Sequence, residues 1–464
     1  MPAGAEESGG SPVSTNFNFM KSRRTSINSL IRGGLFAAAL CASNGCGGWW
    51  ARNASAPAPG SNPALVLSSK EETRSTVQFF EDRVKRDPDD FIAHNRLVGY
   101  YLQLEHETGD TRYLELALGA ARNSLKALPE EQNTDGLAAL IMAEAAHHMF
   151  ADAHKHALRL VELEPGKLSS YVLLFDQLLE LGKYDEAERV LAKMDTLPRD
   201  DAAVETRHAR LAQIKGDPET AARRFKAALA LSLSMSGTDA ETICWYHWQL
   251  GEVAFSVGRY ETAERHYRDA LKVLPDDLHA RASLARVRAA VGDLEGAVKE
   301  YAAVNQQLPE PPYLAALGDL YKLAGRETEA AAQYARVEPV ARANPLETSL
   351  HERLLANYYA DHDLKAQEAY DIAVRDYARR QDIYGADTLA WTALKAGKIR
   401  EAQAAIKDAL RTGVRDAKVL YHAGMIARAA GDRGKAREYL ESALKLNPQF
   451  DPLQVAIVKK ALAE

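Results

Sequence analysis

CWYHWQLGEVAFSVGRYETAERHYRDALKVLPDD, residues 244–277, is the stretch that decides the fold. It reads as two amphipathic helices. Gly258 closes the first in the left-handed backbone that glycine tolerates best, and Pro275 ends the second. Gly251, Ala263 and Ala270 are small where two antiparallel helices must approach closely, while Leu250 and Tyr267 are large where the space between them must be filled. The spacing recurs along the chain. Gly182 and Gly216 lie 34 residues apart, as do Gly258 and Gly292, Gly397 and Gly431, Ala402 and Ala436, and Ala409 and Ala443. A two-helix unit repeated at a fixed period cannot bury its apolar face alone, so the units must stack.

Residues 244–277 carry Leu250-Gly251, Gly258, Ala263, Tyr267, Ala270 and Pro275 at the offsets of the pattern W-x2-L-G-x2-Y, A-x3-F, P, with His247 in place of the leading tryptophan. The next unit has Leu284-Ala285, Gly292, Ala297, Tyr301 and Pro309. It is followed by one with Leu314, Leu317-Gly318, Tyr321, Gly325, Ala330 and Tyr334. Near the end stand Leu420, Gly424, Gly431, Ala436, Leu440, Ala443 and Pro448. In these residues the chain resembles the tetratricopeptide-repeat family. The resemblance implies an all-α fold, an α-solenoid superhelix of about ten helix-turn-helix units, in which the first helix of each unit lines a concave groove that receives a peptide or a partner helix.

Carried outward, the register gives units near 91–130, 134–167, 168–201 and 202–235. It also gives a less regular one at 354–382, whose turn holds Asp361-His362-Asp363 instead of glycine. Gly216 and Gly258 are 42 apart, eight beyond one period. The run 232–240 supplies the excess and is expected to break the superhelix into N-terminal units, 71–235, and C-terminal units, 236–450. A closing helix over 453–463, within a cap at 451–464, turns Lys459 and Lys460 to solvent.

Composition narrows the function classes. Lys plus Arg number 58 against 64 Asp plus Glu, and a net charge of -6 offers no basic field for a phosphate backbone, so nucleic acid is not the expected partner. The three cysteines, Cys41, Cys46 and Cys244, supply neither a disulfide framework nor paired metal-ligand spacing. Cys244, beside Trp245 in an apolar helix, reads as core. No Gly-rich phosphate loop or nucleophile elbow occurs, and the pairs Asp276-Asp277 and Glu130-Glu131 read as helix caps and solvated faces. We therefore expect no enzyme and no cofactor.

The first 46 residues read as an address. Met20 is the expected start; Lys21, Arg23, Arg24 and Arg32 make a basic region, 33–42 a short apolar one, and small residues follow, as in a secretory signal. Ser22-Arg23-Arg24 resembles a twin-arginine opening, though Ser26 stands where a large apolar residue belongs. Ser43-Asn44-Gly45-Cys46 resembles a lipobox with serine in place of leucine, which nominates Cys46 for lipidation. Residues 47–70, rich in Ala, Pro, Ser, Gly and Asn, then form a disordered, flexible spacer. The expectation is an exported protein, periplasmic or lipid-anchored in a bacterial cell envelope, touching the membrane only through that anchor.

Projecting the family's groove positions nominates Trp245, Trp248, Glu252, Phe255, Arg286, Asp319, Lys322, Tyr384, Trp391, Tyr421, Met425 and Arg428. Aromatic and Met side chains there would anchor apolar groups, and charges would fix register. Trp245 and Trp248 are three apart, so one of them is as readily a packing residue. The family's clamp for acidic C-terminal tails uses Lys and Asn where this chain has Glu252, Arg286, Asp319 and Trp391, which disfavours that ligand. The expected partners are other proteins or peptides. An alternative reading, a periplasmic metal- or ligand-binding sensor, rests on His147, His148, His154 and His156 around one turn. Each pair diverges on its helix, and no metal is expected there.

Overall fold

The computed structural model describes residues 70–197, 201–235 and 238–464. The leader, Cys46 and the spacer up to residue 69 lie outside the described residues. A first helix, α1 (Lys70–Arg86), precedes ten helix pairs. Repeat 1 is α2 (Phe91–Thr108) with α3 (Arg112–Ala127), and repeat 2 is α4 (Thr134–Ala146) with α5 (Phe150–Leu163). Repeat 3 pairs α6 (Leu168–Glu180) with α7 (Tyr184–Met194), and repeat 4 pairs α8 (Asp201–Ile214) with α9 (Pro218–Ser234). Repeat 5 holds α10 (Ala240–Ser256) and α11 (Tyr260–Val273), and repeat 6 holds α12 (Leu278–Ala290) and α13 (Leu294–Gln307). Repeat 7 is α14 (Pro311–Leu323) with α15 (Glu327–Ala341), and repeat 8 is α16 (Pro345–Asp361) with α17 (Ala366–Arg379). Repeat 9 is α18 (Ile383–Lys395) with α19 (Ile399–Ala409). Repeat 10, α20 (Ala417–Ala429) with α21 (Arg433–Leu446), leads to α22 (Gln454–Ala463). The described residues form no strand.

Local chemistry sets the helix ends. Asp90, Asn133, Asp217, Asp239, Asp277, Asp293, Asp382, Asp416 and Asp432 each accept backbone N–H bonds from the first turn that follows. Glu130 and Glu131 are not caps; both carboxylates pair with Arg159. Every turn inside a repeat holds a residue at positive φ: glycine in eight repeats, His148 (57°) in repeat 2, and Asp363 (54°) with Lys365 (42°) in repeat 8. Within a pair, the seam is tight. A Cβ on Gly251 would stand 2.3 Å from the Tyr267 ring, on Gly318 2.4 Å from Tyr334, and on Gly424 2.6 Å from Leu440.

The eight-residue insertion does not divide the array. Thr206 and Tyr246 share a hydrogen bond of 3.0 Å across it, and Phe225 meets Trp245 edge to face at 5.9 Å, so α8, α9 and α10 share one core.

A second set of contacts joins repeats five apart. Added Cβ atoms report them: on Gly109 of repeat 1, 2.9 Å from Leu308; on Gly182 of repeat 3, 2.1 Å from the Gln381 carbonyl oxygen; on Gly216 of repeat 4, 2.3 Å from the Gly413 carbonyl oxygen; and on Gly258 of repeat 5, 3.2 Å from Pro448. The inner turn of repeat n thus rests on the turn that closes repeat n+5. Repeats 1–5 form a first coil and repeats 6–10 a second coil lying on it. Hydrogen bonds fasten the contact. Ile383 N–H donates to the Tyr184 hydroxyl (2.9 Å), Thr412 Oγ1 to the Ile214 carbonyl (2.7 Å), and Asn447 Nδ2 to the Phe255 carbonyl (2.8 Å). Ile383, Ala386 and Ala390 of α18 and Val419, Ala423 and Ile426 of α20 join the same apolar core as repeats 1–4. The second coil therefore fills much of the concave face that the family resemblance leaves open.

Candidate functional site

Between the coils a cavity of about 210 Å³ remains. Its first wall comes from repeats 4 to 6, with Gln213, Glu252, Phe255 and Arg286. The second comes from repeats 8 to 10, with Asn357, Tyr384, Asp387, Asp416 and Lys418.

On the first wall Glu252 is the hub. Its Oε1 accepts from Arg286 Nη2 (2.6 Å), the Tyr267 hydroxyl (2.7 Å) and Ser283 Oγ (3.1 Å), and Ser283 in turn accepts from Trp248 Nε1 (2.9 Å). The Arg286 guanidinium lies 4.1 Å from the centre of the Phe255 ring. Burial alone would make Arg286 less basic, but Glu252 and Tyr267 overrule it and raise its pKa. The pair holds a fixed dipole, its charges spread over two adjacent inner helices.

On the facing wall Asp416 accepts the Lys418 and Val419 backbone N–H bonds at the start of α20, and burial nonetheless raises its pKa. Lys418 Nζ reaches Asp361 (2.8 Å), whose other oxygen accepts Trp391 Nε1 (2.9 Å). His422, fully buried, turns Nδ1 to Asp387 (2.9 Å) and stacks flat on Trp391 at 4.3 Å. Burial raises the Tyr384 hydroxyl pKa. Such a cavity presents held charges of both signs beside the rings of Phe255, Tyr384 and Phe450, suited to orienting a bound polar group.

Four of the nominated residues, Glu252, Phe255, Arg286 and Tyr384, come together here. The others do not. Trp245 is 2% exposed and packs on Phe225 and Tyr246. Trp391 and Tyr421, each 1% exposed, lie inside repeats 9 and 10, the Tyr421 hydroxyl donating to Gln454. Trp248 is half-buried, holding Ser283 behind the wall. Asp319 is engaged between repeats 7 and 8 by the Tyr334 hydroxyl (2.7 Å) and His362 (2.8 Å). Lys322 and Arg428 are exposed, Arg428 pairing with Glu464, and Met425 is half-buried against the closing helix. Asn357, Asp387, Asp416 and Lys418 were not nominated; only the stacking of coils brings them to the cavity.

The histidine turn does not gather. His156 pairs with Glu144 (2.7 Å), and His148 is enclosed beside Arg380, stacked on Phe150. Cys244 is buried, and burial pushes its thiol pKa up, away from nucleophilic use. Among the described residues no helix is long and apolar enough to cross a membrane.

Three family models, each a tetratricopeptide repeat, match residues 200–276, 254–320 and 388–449. Over those stretches the chain is built of tetratricopeptide repeats. Such arrays generally mediate protein–protein or RNA interactions and are typically non-catalytic. Similar solved structures include a tetratricopeptide repeat protein from Parabacteroides merdae, 17% identical, covering 57% of this chain and all of that one at a TM-score of 0.31. Human IFIT1 dimers with PPP-AAAA and with m7Gppp-AAAA are each 13% identical, covering 81% of this chain and 87% of theirs, at TM-scores of 0.44 and 0.45. No curated protein matches by sequence.

Proposed function

We propose that this tetratricopeptide array is a non-catalytic scaffold of the bacterial cell envelope that holds partner proteins by a short peptide segment. The observation that carries this reading is the cavity of about 210 Å³ between the coils, lined by the Glu252–Arg286 pair on one wall and by Asp416 and by Lys418, itself paired with Asp361, on the other. That volume suits a side chain or a chain end rather than a helix, and the paired charges would fix the segment's direction. Arg286→Glu and Lys418→Glu should each abolish co-purification of the native partner with the tagged chain while leaving helical content unchanged. A partner retained by both variants would place its docking surface elsewhere.

The envelope address rests on residues 20–46, whose basic, apolar and small-residue order reads as an export signal. Fractionation of native cells should find the protein outside the cytoplasm, and a cytosolic pool would refute it. If Cys46 carries the lipid, Cys46→Ser should move the protein from the membrane to the soluble fraction.

A further inference from the structure

His247 stands where the repeat signature has its leading tryptophan, a position that normally packs between the two helices of one unit. In repeat 5 an imidazole replaces that apolar ring, and the helix opposite answers with another polar group. His266 and Asp269 are three residues apart on α11, hence on one face, and that face is turned toward His247 on α10. The two rings are 5.8 Å apart, and one ligand atom from each of His247, His266 and Asp269 lies within 4.8 Å of the other two. Both Nδ1 atoms are buried, and neither has a hydrogen-bond partner. Two imidazoles left unsatisfied inside a helix seam cost stability, and packing gives no reason to set them together.

We propose that His247, His266 and Asp269 form a binding site for a divalent cation of the zinc class.

The donor set is two imidazoles and one carboxylate, the borderline nitrogen and oxygen combination that zinc and its neighbours take, with a further position left for water. Around a tetrahedral ion such donors lie about 3.3 Å apart, so small side-chain rotations on a preformed seam complete the site. Burial lowers the pKa of both imidazoles, that of His266 to about 4 with His247 itself adding to the effect, which keeps them neutral and free to ligate near pH 7. The charged neighbours are Lys272, bonded to one Asp269 oxygen at 2.8 Å, with Lys226 and Arg265 acting on His266. The second Asp269 oxygen makes no bond to Lys272, and that side chain, 31% exposed, is the entrance. An ion here would tie α10 to α11, and α10 also carries Glu252 and Phe255 of the cavity.

The test is calorimetric titration of the chelator-treated full chain with zinc chloride alone. The expected result is one equivalent bound at micromolar affinity. His247→Trp restores the signature residue and should keep the fold, judged by circular dichroism, while weakening zinc about tenfold or more. Asp269→Asn and His266→Gln should weaken it similarly, and His156→Gln should leave it unchanged. Absence of saturable binding below millimolar zinc, or a folded His247→Trp variant that binds like the parent, would overturn the proposal.

Discussion

Gly182, Gly216 and Gly258 of the first coil and Gly325, Gly397 and Gly431 of the second adopt the same left-handed backbone, with φ of 70°, 71° and 72° against 71°, 74° and 81°. Their surroundings differ completely. A Cβ on each of the first three would meet the second coil, whereas a Cβ on any of the other three would meet nothing within 4 Å. One residue type at one repeat position answers two demands in the first coil, a turn and a contact, and a single demand in the second. The superhelix is therefore fastened at these turns, and it can be opened there without touching the helix pairs.

The largest effect is expected from making both glycine sets into alanine. Gly325→Ala with Gly397→Ala introduces left-handed strain alone, about 1 to 2 kcal/mol per site. Gly182→Ala with Gly216→Ala adds overlap with the Gln381 and Gly413 carbonyls and should cost about 5 kcal/mol in all, or else part the coils. Urea unfolding would compare the pairs, and small-angle scattering would show a larger radius of gyration only for the second pair of changes. Equal losses with no expansion would mean that the coils do not touch in solution.

Buried charge sharpens the same contrast. Arg353 bonds Asp376 and Asp382, all nearly inaccessible, beside Arg380, which crosses to Glu180 of the first coil at 3.5 Å. Arg353→Met leaves buried Asp376 with Arg380 alone and buried Asp382 with only its backbone N–H donors, and should cost about 3 kcal/mol by chemical denaturation. Arg326→Met, which breaks a solvent-exposed pair with Glu329 in repeat 7, should leave the denaturation midpoint nearly unchanged.

A third comparison is set by pH, since repeat 2 has His148 where its neighbours have glycine. Burial first, then Arg380, with Arg353 and His351 adding and Asp376 opposing, lowers its pKa well below the usual 6.5. The unfolded chain thus binds the proton more readily, and stability falls as pH drops below 6.5. His148→Asn, which tolerates the same backbone, should flatten that slope between pH 7 and 5 in thermal melts. Asp376 acts at lower pH. Burial would raise its pKa, but Arg353 and Arg380 hold it at about 2, so its contribution is lost only as pH falls from about 4 toward 2.

These contacts also mark what the sequence could reveal. Gly251 against Tyr267 is a contact between neighbouring helices, and the 34-residue period announces it. The coil contact joins residues about 200 positions apart through main-chain carbonyls at Gln381 and Gly413, which any sequence provides. Trp391 illustrates the consequence. Its register is that of a groove residue, yet the second coil's own packing has filled the groove and put it in the core. Glu252 and Arg286 were legible because adjacent inner helices place them side by side. Lys418 and Asp416 were not, because they face the first wall only after five repeats of curvature. A partial signal was available: the residue opening the second helix is Phe150, Tyr184 and Tyr260 in repeats 2, 3 and 5, though Arg112 and Pro218 in repeats 1 and 4, whereas all five in the second coil, Leu294, Glu327, Ala366, Ile399 and Arg433, are non-aromatic.

The smallest effect tests that signal. The Tyr260 hydroxyl donates to Asn447 Oδ1 and accepts from Gln449 N–H at 3.0 Å, but Gln449 N–H also reaches Asn447 Oδ1 at 3.1 Å, so removing the hydroxyl leaves the turn partly satisfied. Tyr260→Phe should therefore cost about 1 kcal/mol, the net value of one hydrogen bond, with the ring still packed on Phe255. Tyr184→Phe removes the acceptor from the Ile383 N–H, which is buried, and should cost somewhat more. Ile399→Ala, at the equivalent place in the second coil, should change stability less than either, since that side chain is partly exposed and touches no further coil. Urea midpoints falling in the order Tyr184→Phe, Tyr260→Phe, Ile399→Ala would show that the aromatic opening of the second helix in repeats 3 and 5 fastens the second coil. An unchanged midpoint for both tyrosine variants would remove that role from it.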